Sequence, residues 1–381
     1  MQSPWRRAAV RTALALFASV AATAGRSAEV AEPAVPRHHR AGGYQNNYLE
    51  FSPPGVAALL RWRFDALREG LPKPALNPTP VQAPDLAFIH ANAHAGMAMQ
   101  PAVTWIGHAT TLAQLGGLNV LTDPIFSARA SPLGFIGPKR RVAPGMSLAQ
   151  LPHIDVVVIS HNHYDHLDDD SVRALARQPG GAPLFLVPLG LKAWLARRDI
   201  VDAIELDWWQ SHRVGAVEFM LTPVQHWSGR GLDDRLATLW GGWAMLAPDA
   251  HVFFAGDTAY SKDFADIRRH VAARQGVEAG GGFDAALIPI GAYEPRWFMR
   301  PQHVNPDEAV QIHLDLGAKR SIGVHWGTFV LTDESLDQPP IDLAAARRAH
   351  GLADEAFSVL AVGETRRLPP RSPRVDSTAR R

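Results

Sequence analysis

The chain has no cysteine among its 381 residues. That excludes disulfides, thiolate metal ligands and a lipid-modified cysteine, and leaves the redox compartment open. An excess of either charge is missing too: 38 Lys and Arg stand against 37 Asp and Glu, a formal net charge of +1. Such a balance gives no electrostatic footprint for nucleic acid; the Arg-rich C-terminal end is the one basic run. An apolar segment long enough to anchor the chain in a bilayer is also lacking near the N-terminus, because Thr12 to Ala21 is too short.

That short segment has a different signature. Arg6, Arg7 and Arg11 precede it and Ala22-Thr23-Ala24 follows, the shape of an export signal over residues 1–24. On this reading the mature chain is periplasmic in a Gram-negative bacterium, and Arg6-Arg7 points weakly to the twin-arginine route. The alternative is a disordered, Ala-rich N-terminus of a cytoplasmic protein. Residues 25–44 read as a linker, 45–368 as the folded part and 369–381 as a disordered tail. The 46% hydrophobic content supplies a sizeable core, although length alone would suggest two or three domains.

The densest chemistry lies in Ser160-His161-Asn162-His163-Tyr164-Asp165-His166-Leu167-Asp168. It follows the β-branched run Val156-Val157-Val158-Ile159, a buried strand, and precedes a helical pattern through Val172 and Leu175. Three histidines and an aspartate therefore crowd the point where a strand ends and a helix begins. His161 and His163, two apart on extended backbone, share a face. Asp165 and His166 fall where the chain turns, so they can address a second metal. Close imidazoles and carboxylates are the donors a divalent metal takes.

This motif resembles that of the metallo-β-lactamase superfamily. The resemblance implies three further ligands, and candidates stand at the ends of apolar strands: His226 after Val217–Val224, Asp257 in Phe253–Thr258, and His325 after Ser321–Val324. Within the superfamily, Thr104–Thr110, Leu121–Phe126, Pro289–Met299 and Gln302–Ala309 are similar to the N-acylphosphatidylethanolamine-hydrolysing phospholipase D branch, from about residue 45 to about 340. The run Gly291 to Met299 is the most specific. Periodicity alone says α/β or α+β. The resemblance implies a four-layer αββα sandwich of two mixed sheets flanked by helices.

It also implies roles. His161, His163 and His226 would hold one zinc, Asp165, His166 and His325 the other, and Asp257 both; Asp165 counts among the catalytic groups as well. Two zinc ions suit these N and O donors, which iron or manganese also accept. A water between the metals would ionise near pH ~7 and attack a phosphodiester, releasing N-acylethanolamine and phosphatidic acid from N-acylphosphatidylethanolamine. The competing enzyme is a hydrolase of a lactone or a soluble cyclic or sugar phosphate. The non-enzyme reading, a metal-binding envelope protein with an inactive site, fares badly because all the ligand positions are filled.

Four further residues have two readings each. His303 is either a proton donor to the leaving group or a loop histidine before a helix. His108 either contacts substrate or orients a ligand, or is structural. Tyr293 and Glu294 either face the pocket or build the Tyr-Glu-Pro turn. The downstream tryptophans, Trp227 and Trp326 among them, either wall an acyl groove or pack the core. The amphipathic helix at 54–69 either lies on a membrane surface or caps the core.

Strands are expected at 103–115, 118–122, 155–160, 184–187, 217–224, 240–247, 251–256, 284–290 and 321–325. Further helices are expected at 169–178, 190–198, 261–274, 306–316 and 341–350, and a long loop at 124–144.

Overall fold

A computed structural model of the protein describes residues 36–231, 233–275 and 282–371. The export signal read at 1–24, most of the linker at 25–44 and most of the tail at 369–381 lie outside the described residues. Helices α1 (Val56–Glu69) and α2 (Leu86–Ala93) lead into an antiparallel meander of β1 (Ala102–Gly107), β2 (Thr110–Leu115) and β3 (Leu118–Thr122). Strand β4 (Val156–Val158), helix α3 (Asp169–Leu175), β5 (Leu184–Pro188), α4 (Lys192–Ala196) and β6 (Ala203–Leu206) extend it with parallel pairs.

The second half repeats the plan. A meander of β7 (Ser211–Val214), β8 (Val217–Thr222), β9 (Gly242–Leu246) and β10 (His251–Phe254) comes first. It is followed by α5 (Asp263–Gln275), β11 (Ala285–Pro289), α6 (Arg296–Met299), α7 (Pro306–Leu316), β12 (Ser321–Val324), α8 (Gln338–Ala349) and β13 (Phe357–Val359), whose strands pair in parallel. Strand β14 (Thr365–Arg367) returns to pair antiparallel with β1. The two seven-stranded sheets run β14-β1-β2-β3-β4-β5-β6 and β13-β12-β11-β10-β9-β8-β7. Both belong to one compact unit that begins at Arg40.

Strand β4 shows how the layers form. Val156 and Val158 join the core between the sheets with Phe219, Leu221 and Phe253. Val157, on the opposite face, packs with Val172 and Leu175 of α3 and Leu195 of α4. A strand buried on both faces carries no polar alternation, so it reads as a continuous apolar run. Residues of α5 (Ile267, Val271) and α7 (Val310, Leu316) complete the helix layer on the second sheet. The expected four-layer sandwich is therefore what the chain builds.

Several elements differ from the sequence reading. The strand expected over 103–115 is two strands, reversed at Gly107 and His108, whose φ angles are 131° and 54°. Both strands are buried throughout, so the apolar pattern runs unbroken through the turn. Strands β6, β7, β13 and β14 were not expected: they are short, and β7 alternates exposed and half-buried residues, which leaves no apolar run to see. Helix α2 and the four-residue α6 were also not expected. Helix α1 packs one face on the core and leaves apolar side chains exposed on another. Trp62 and Ala66 pack against Phe298 and Met299, whereas Val56, Leu60, Phe64 and Leu67 are exposed.

Trp243 of β9 ties the two sheets together. Fully buried, it donates its indole N–H to the carbonyl of Ile159, the residue before the histidine motif, at 2.9 Å. Replacing it with phenylalanine keeps most of the packing but strands a buried carbonyl, at about 1–3 kcal/mol. Urea denaturation of Trp243→Phe should show this loss; an unchanged midpoint and slope would refute the role.

Candidate metal centre

Most of the candidate ligands emerge where parallel strands end, the edge at which open α/β sheets bind ligands; His226 follows the antiparallel β8. Thr122 pairs with Val158, so Asp123 and the Ser160–His166 loop leave the first sheet side by side. Asp257 follows β10 and His325 follows β12 in the second sheet. Two glycines permit the approach. Gly256 has φ 62°, and a Cβ there would lie 2.4 Å from Cβ of Ser160. A Cβ on Gly291 would lie 2.3 Å from the carbonyl oxygen of His325, which places the family-like Gly291 run directly behind that histidine.

His161, His163, His226 and Asp257 form one group of donors. Hydrogen bonding settles the tautomers. The Ser160 hydroxyl donates to Asp123 at 2.5 Å, so it can only accept from Nδ1–H of His161 at 2.9 Å. Nδ1–H of His226 donates to the carbonyl of Gln302 at 2.8 Å. Both Nε2 atoms are then bare, and they point at Nδ1 of His163, 2.8 and 3.3 Å away. With the His163 proton on Nε2, three lone pairs converge at one point, the arrangement that a cation between them stabilises. The spacing is near the ~3.3 Å that tetrahedral zinc–nitrogen bonds impose on neighbouring ligands.

The second group is His108, Asp165, His166 and His325. Nε2 of His325 lies 3.3 Å from Asp165 and 3.2 Å from Asp257 Oδ1, and Nε2 of His166 lies 3.1 Å from Asp257 Oδ2. The Asp257 carboxylate, with its other neighbours His161 and His226 at 4.0 and 3.9 Å, stands between the groups. His166 Nε2 and Asp257 Oδ1 are buried and have no hydrogen-bond partner among the described residues. The donor set fits two divalent ions.

Burial, reinforced by neighbouring imidazoles, holds His161 and His163 well below the ordinary histidine range. It lowers His226 to about 4 against the pull of Asp257. Burial acts on His166 and His325 as well, but the carboxylates of Asp257 and Asp165 outweigh it. His166 is carried well above its ordinary value and His325 to about 9. The same pairing holds Asp165 and Asp257 well below theirs despite burial, with His166 the main cause. Without metal, protons on His166 and His325 supply the charge that the carboxylates demand.

Sequence reasoning passed over several supporting groups. Asp123, fully buried, accepts from Nδ1–H of His166 at 2.6 Å and from Ser160; such acceptors fix ligand tautomer and orientation. The sequence signal was there, an acid at the end of an apolar strand in Thr122-Asp123-Pro124. Arg230 lies across the motif loop, donating to the carbonyls of Asn162 and Leu167 at 2.8 and 2.7 Å and stacking on Tyr164. It borders a cleft of about 700 Å³ on the Tyr164 side of the loop, walled also by Trp194 and Arg198, that flanks the cluster without including its histidines.

The remaining sequence candidates divide. His108 donates from Nε2 to Asp165 at 2.9 Å, and burial and His325 lower it to about 3. His303 has Nδ1 3.9 Å from Asp257, with its ring 5.2 Å from that of His226. Tyr293 and Glu294 are engaged elsewhere. The Tyr293 hydroxyl donates to Asp342 at 2.5 Å. Glu294 accepts from the Arg296 amide at 2.9 Å, and its own amide donates to Glu334. The reading that puts both in the substrate pocket gains nothing from these contacts; they build the turn that supports α6. Trp227 stacks edge-on against His163 and donates to Gln302 Oε1, and Trp326 packs on Trp105.

Residues 118–326 match the Beta-lactamase superfamily domain. The chain is 41% identical over 273 residues to N-acyl-phosphatidylethanolamine-hydrolyzing phospholipase D 1 of Caenorhabditis elegans, covering 68% of this chain and 74% of that one. It is 42% identical over 296 residues to an uncharacterised protein of Mycobacterium tuberculosis, covering 76% and 73%. Among solved structures, an isothiocyanate hydrolase from Delia radicum gut bacteria shares the fold at 21% identity and a TM-score of 0.53, covering 70% of this chain and 98% of that one.

At pH 7 metal must displace the protons on His166 and His325. Loading should release about two protons, and affinity should rise with pH toward about 9. Calorimetric titrations in buffers of different ionisation enthalpy measure this; heats independent of the buffer would contradict the charge state.

Proposed function

Since the chain belongs to the beta-lactamase superfamily, and resembles its N-acylphosphatidylethanolamine-hydrolysing phospholipase D branch, we propose that it hydrolyses the phosphodiester of N-acylphosphatidylethanolamine. The convergence of buried imidazoles and carboxylates at one edge of both sheets carries the hydrolase reading. The 41% identity to a phospholipase D supports the lipid substrate. We assign His161, His163 and His226 to one metal, Asp165, His166 and His325 to the other, and Asp257 to both. Zinc is the metal proposed. When bound, such a pair acidifies water and polarises a phosphoryl oxygen.

In the reaction a water oxygen bonds to phosphorus and the bond from phosphorus to the ethanolamine oxygen breaks. One proton from the water ends on the departing oxygen; the products are N-acylethanolamine and phosphatidic acid. The chain's own groups place the reactants and move that proton. Asp123 and Ser160 orient the ligating rings, and His108 holds Asp165 by a hydrogen bond. His303 is the group we assign to the proton. Its Nδ1 is buried, lacks a hydrogen-bond partner among the described residues and lies beside Asp257. Burial lowers it to about 3, so without metal or substrate it stands neutral at pH 7 with a bare ring nitrogen. Arg296 fixes the loop that carries it, donating to the His303 carbonyl at 3.0 Å and to Glu308 at 2.6 Å.

The surface supports a lipid over a soluble ester. On α1, Val56, Leu60, Phe64 and Leu67 form an exposed apolar stripe at helical spacing, accompanied by Arg63 and Arg68. That is the composition of a helix lying on an anionic interface. The long loop exposes Leu133, Phe135 and Ile136 as well.

Turnover of N-acylphosphatidylethanolamine in vesicles, compared with bis(p-nitrophenyl) phosphate and a simple lactone, tests the reading. The expected order favours the lipid at least tenfold in kcat/KM; preference for either soluble ester would overturn it. In His303→Ala kcat should fall about 10²-fold or more with both metals retained, the range for removing a proton-transfer group. Unchanged kcat would dismiss His303.

A further inference from the structure

We infer that Asn46 is a positioning residue for His226, and that the segment 43–48 is a strap completing the metal centre from outside both sheets. The inference rests on the metal assignment proposed above. His226 lies beyond the end of β8 at Thr222, where the sheet ladder no longer satisfies its peptide groups and a partner must come from elsewhere. The Asn46 side chain supplies it from 180 positions away. Its Nδ2 donates to the His226 carbonyl at 2.9 Å, and its Oδ1 accepts from the His226 amide at 3.1 Å. The same Oδ1 accepts from Nε1 of Trp240 at 3.2 Å, in a buried setting. With a donor wanted on one side and an acceptor on the other, only a carboxamide of this orientation satisfies all three bonds.

The strap is itself fastened. The amide of Tyr44 donates to the carbonyl of Leu236 at 2.9 Å. Asn47 Nδ2 donates to Asp263 at 2.8 Å, and the Tyr48 hydroxyl bonds to Asp266, both acceptors on α5. His226 is thus clamped twice: its peptide by Asn46 and its ring by the Gln302 carbonyl. Neither clamp belongs to the strand that delivers it. What remains free is Nε2, aimed at His163. Asn46 touches neither metal nor substrate; it acts through His226.

Chelator competition with zinc tests this on the purified full chain, with activity left aside. In Asn46→Ala the dissociation constant of one of two bound zincs should rise about 10–100-fold, the usual effect of removing a group that orients a ligand, while the other changes little. Asn47→Ala, which cuts the same strap's bond to α5, should leave both within about twofold. Should Asn46→Ala fail to fold, Asn46→Asp, nearly isosteric and able to keep both accepted bonds, should show a rise of about tenfold. Wild-type affinity for both zincs in a folded Asn46 variant overturns the inference. A wild-type chain that binds no zinc instead overturns the metal assignment beneath it.

Discussion

Five imidazoles and two carboxylates held within a few ångströms, with only His163 and Asp165 partly open to solvent, set the constraint on which the rest of this structure depends. Bare nitrogens pointing at one another repel, and two buried carboxylates cannot both ionise without compensation. Left alone, such a group would splay apart or draw water in. Here protons on His166 and His325 neutralise the carboxylates, while backbone and hydroxyl partners pin the rings of His161, His166 and His226. The arrangement is one able to hold metal, and the fold keeps its two groups of donors at a fixed spacing.

The sandwich meets that demand by dividing the labour. One sheet delivers the histidine motif as a single loop, with Asp123 beside it. The other delivers His226, Asp257 and His325 from separate strand ends. Rigid connections between the halves then decide the geometry: Trp243 to Ile159, Gly241 to the Ser160 carbonyl at 3.0 Å, and Gly256 against the Ser160 side chain. Because each group of donors draws residues from both sheets, a shift of one sheet on the other would distort both groups at once.

Much of this could be read from the chain, for a physical reason. Asp165, His166 and their neighbours stand close in sequence, and His226, Asp257 and His325 each follow a buried strand whose apolar run announces its end. Helix α7, expected over 306–316, is present and opens with a capping box of Asn305 and Glu308. What escaped reading acts at long range through the backbone. Asn46, the Gln302 carbonyl and the carbonyl clamp of Arg230 have no local signature, since any polar residue or any peptide group could occupy those roles. The turn at His108 hid inside a continuous apolar pattern, and edge strands such as β7 carry too little apolar character to be seen. Tyr293 and Glu294 had two readings from a family-like run, pocket or turn, and their polar atoms bond to Asp342, Arg296 and Glu334.

The central claim is that these donors hold two metal ions at once, with Asp257 between them. Elemental analysis of the purified chain beside its Asp257→Asn variant measures this most directly. Two divalent metal ions per wild-type chain, falling below two in the variant, is the predicted result. A chain that carries no metal after growth in zinc-replete medium, or a variant that retains both ions, would contradict it.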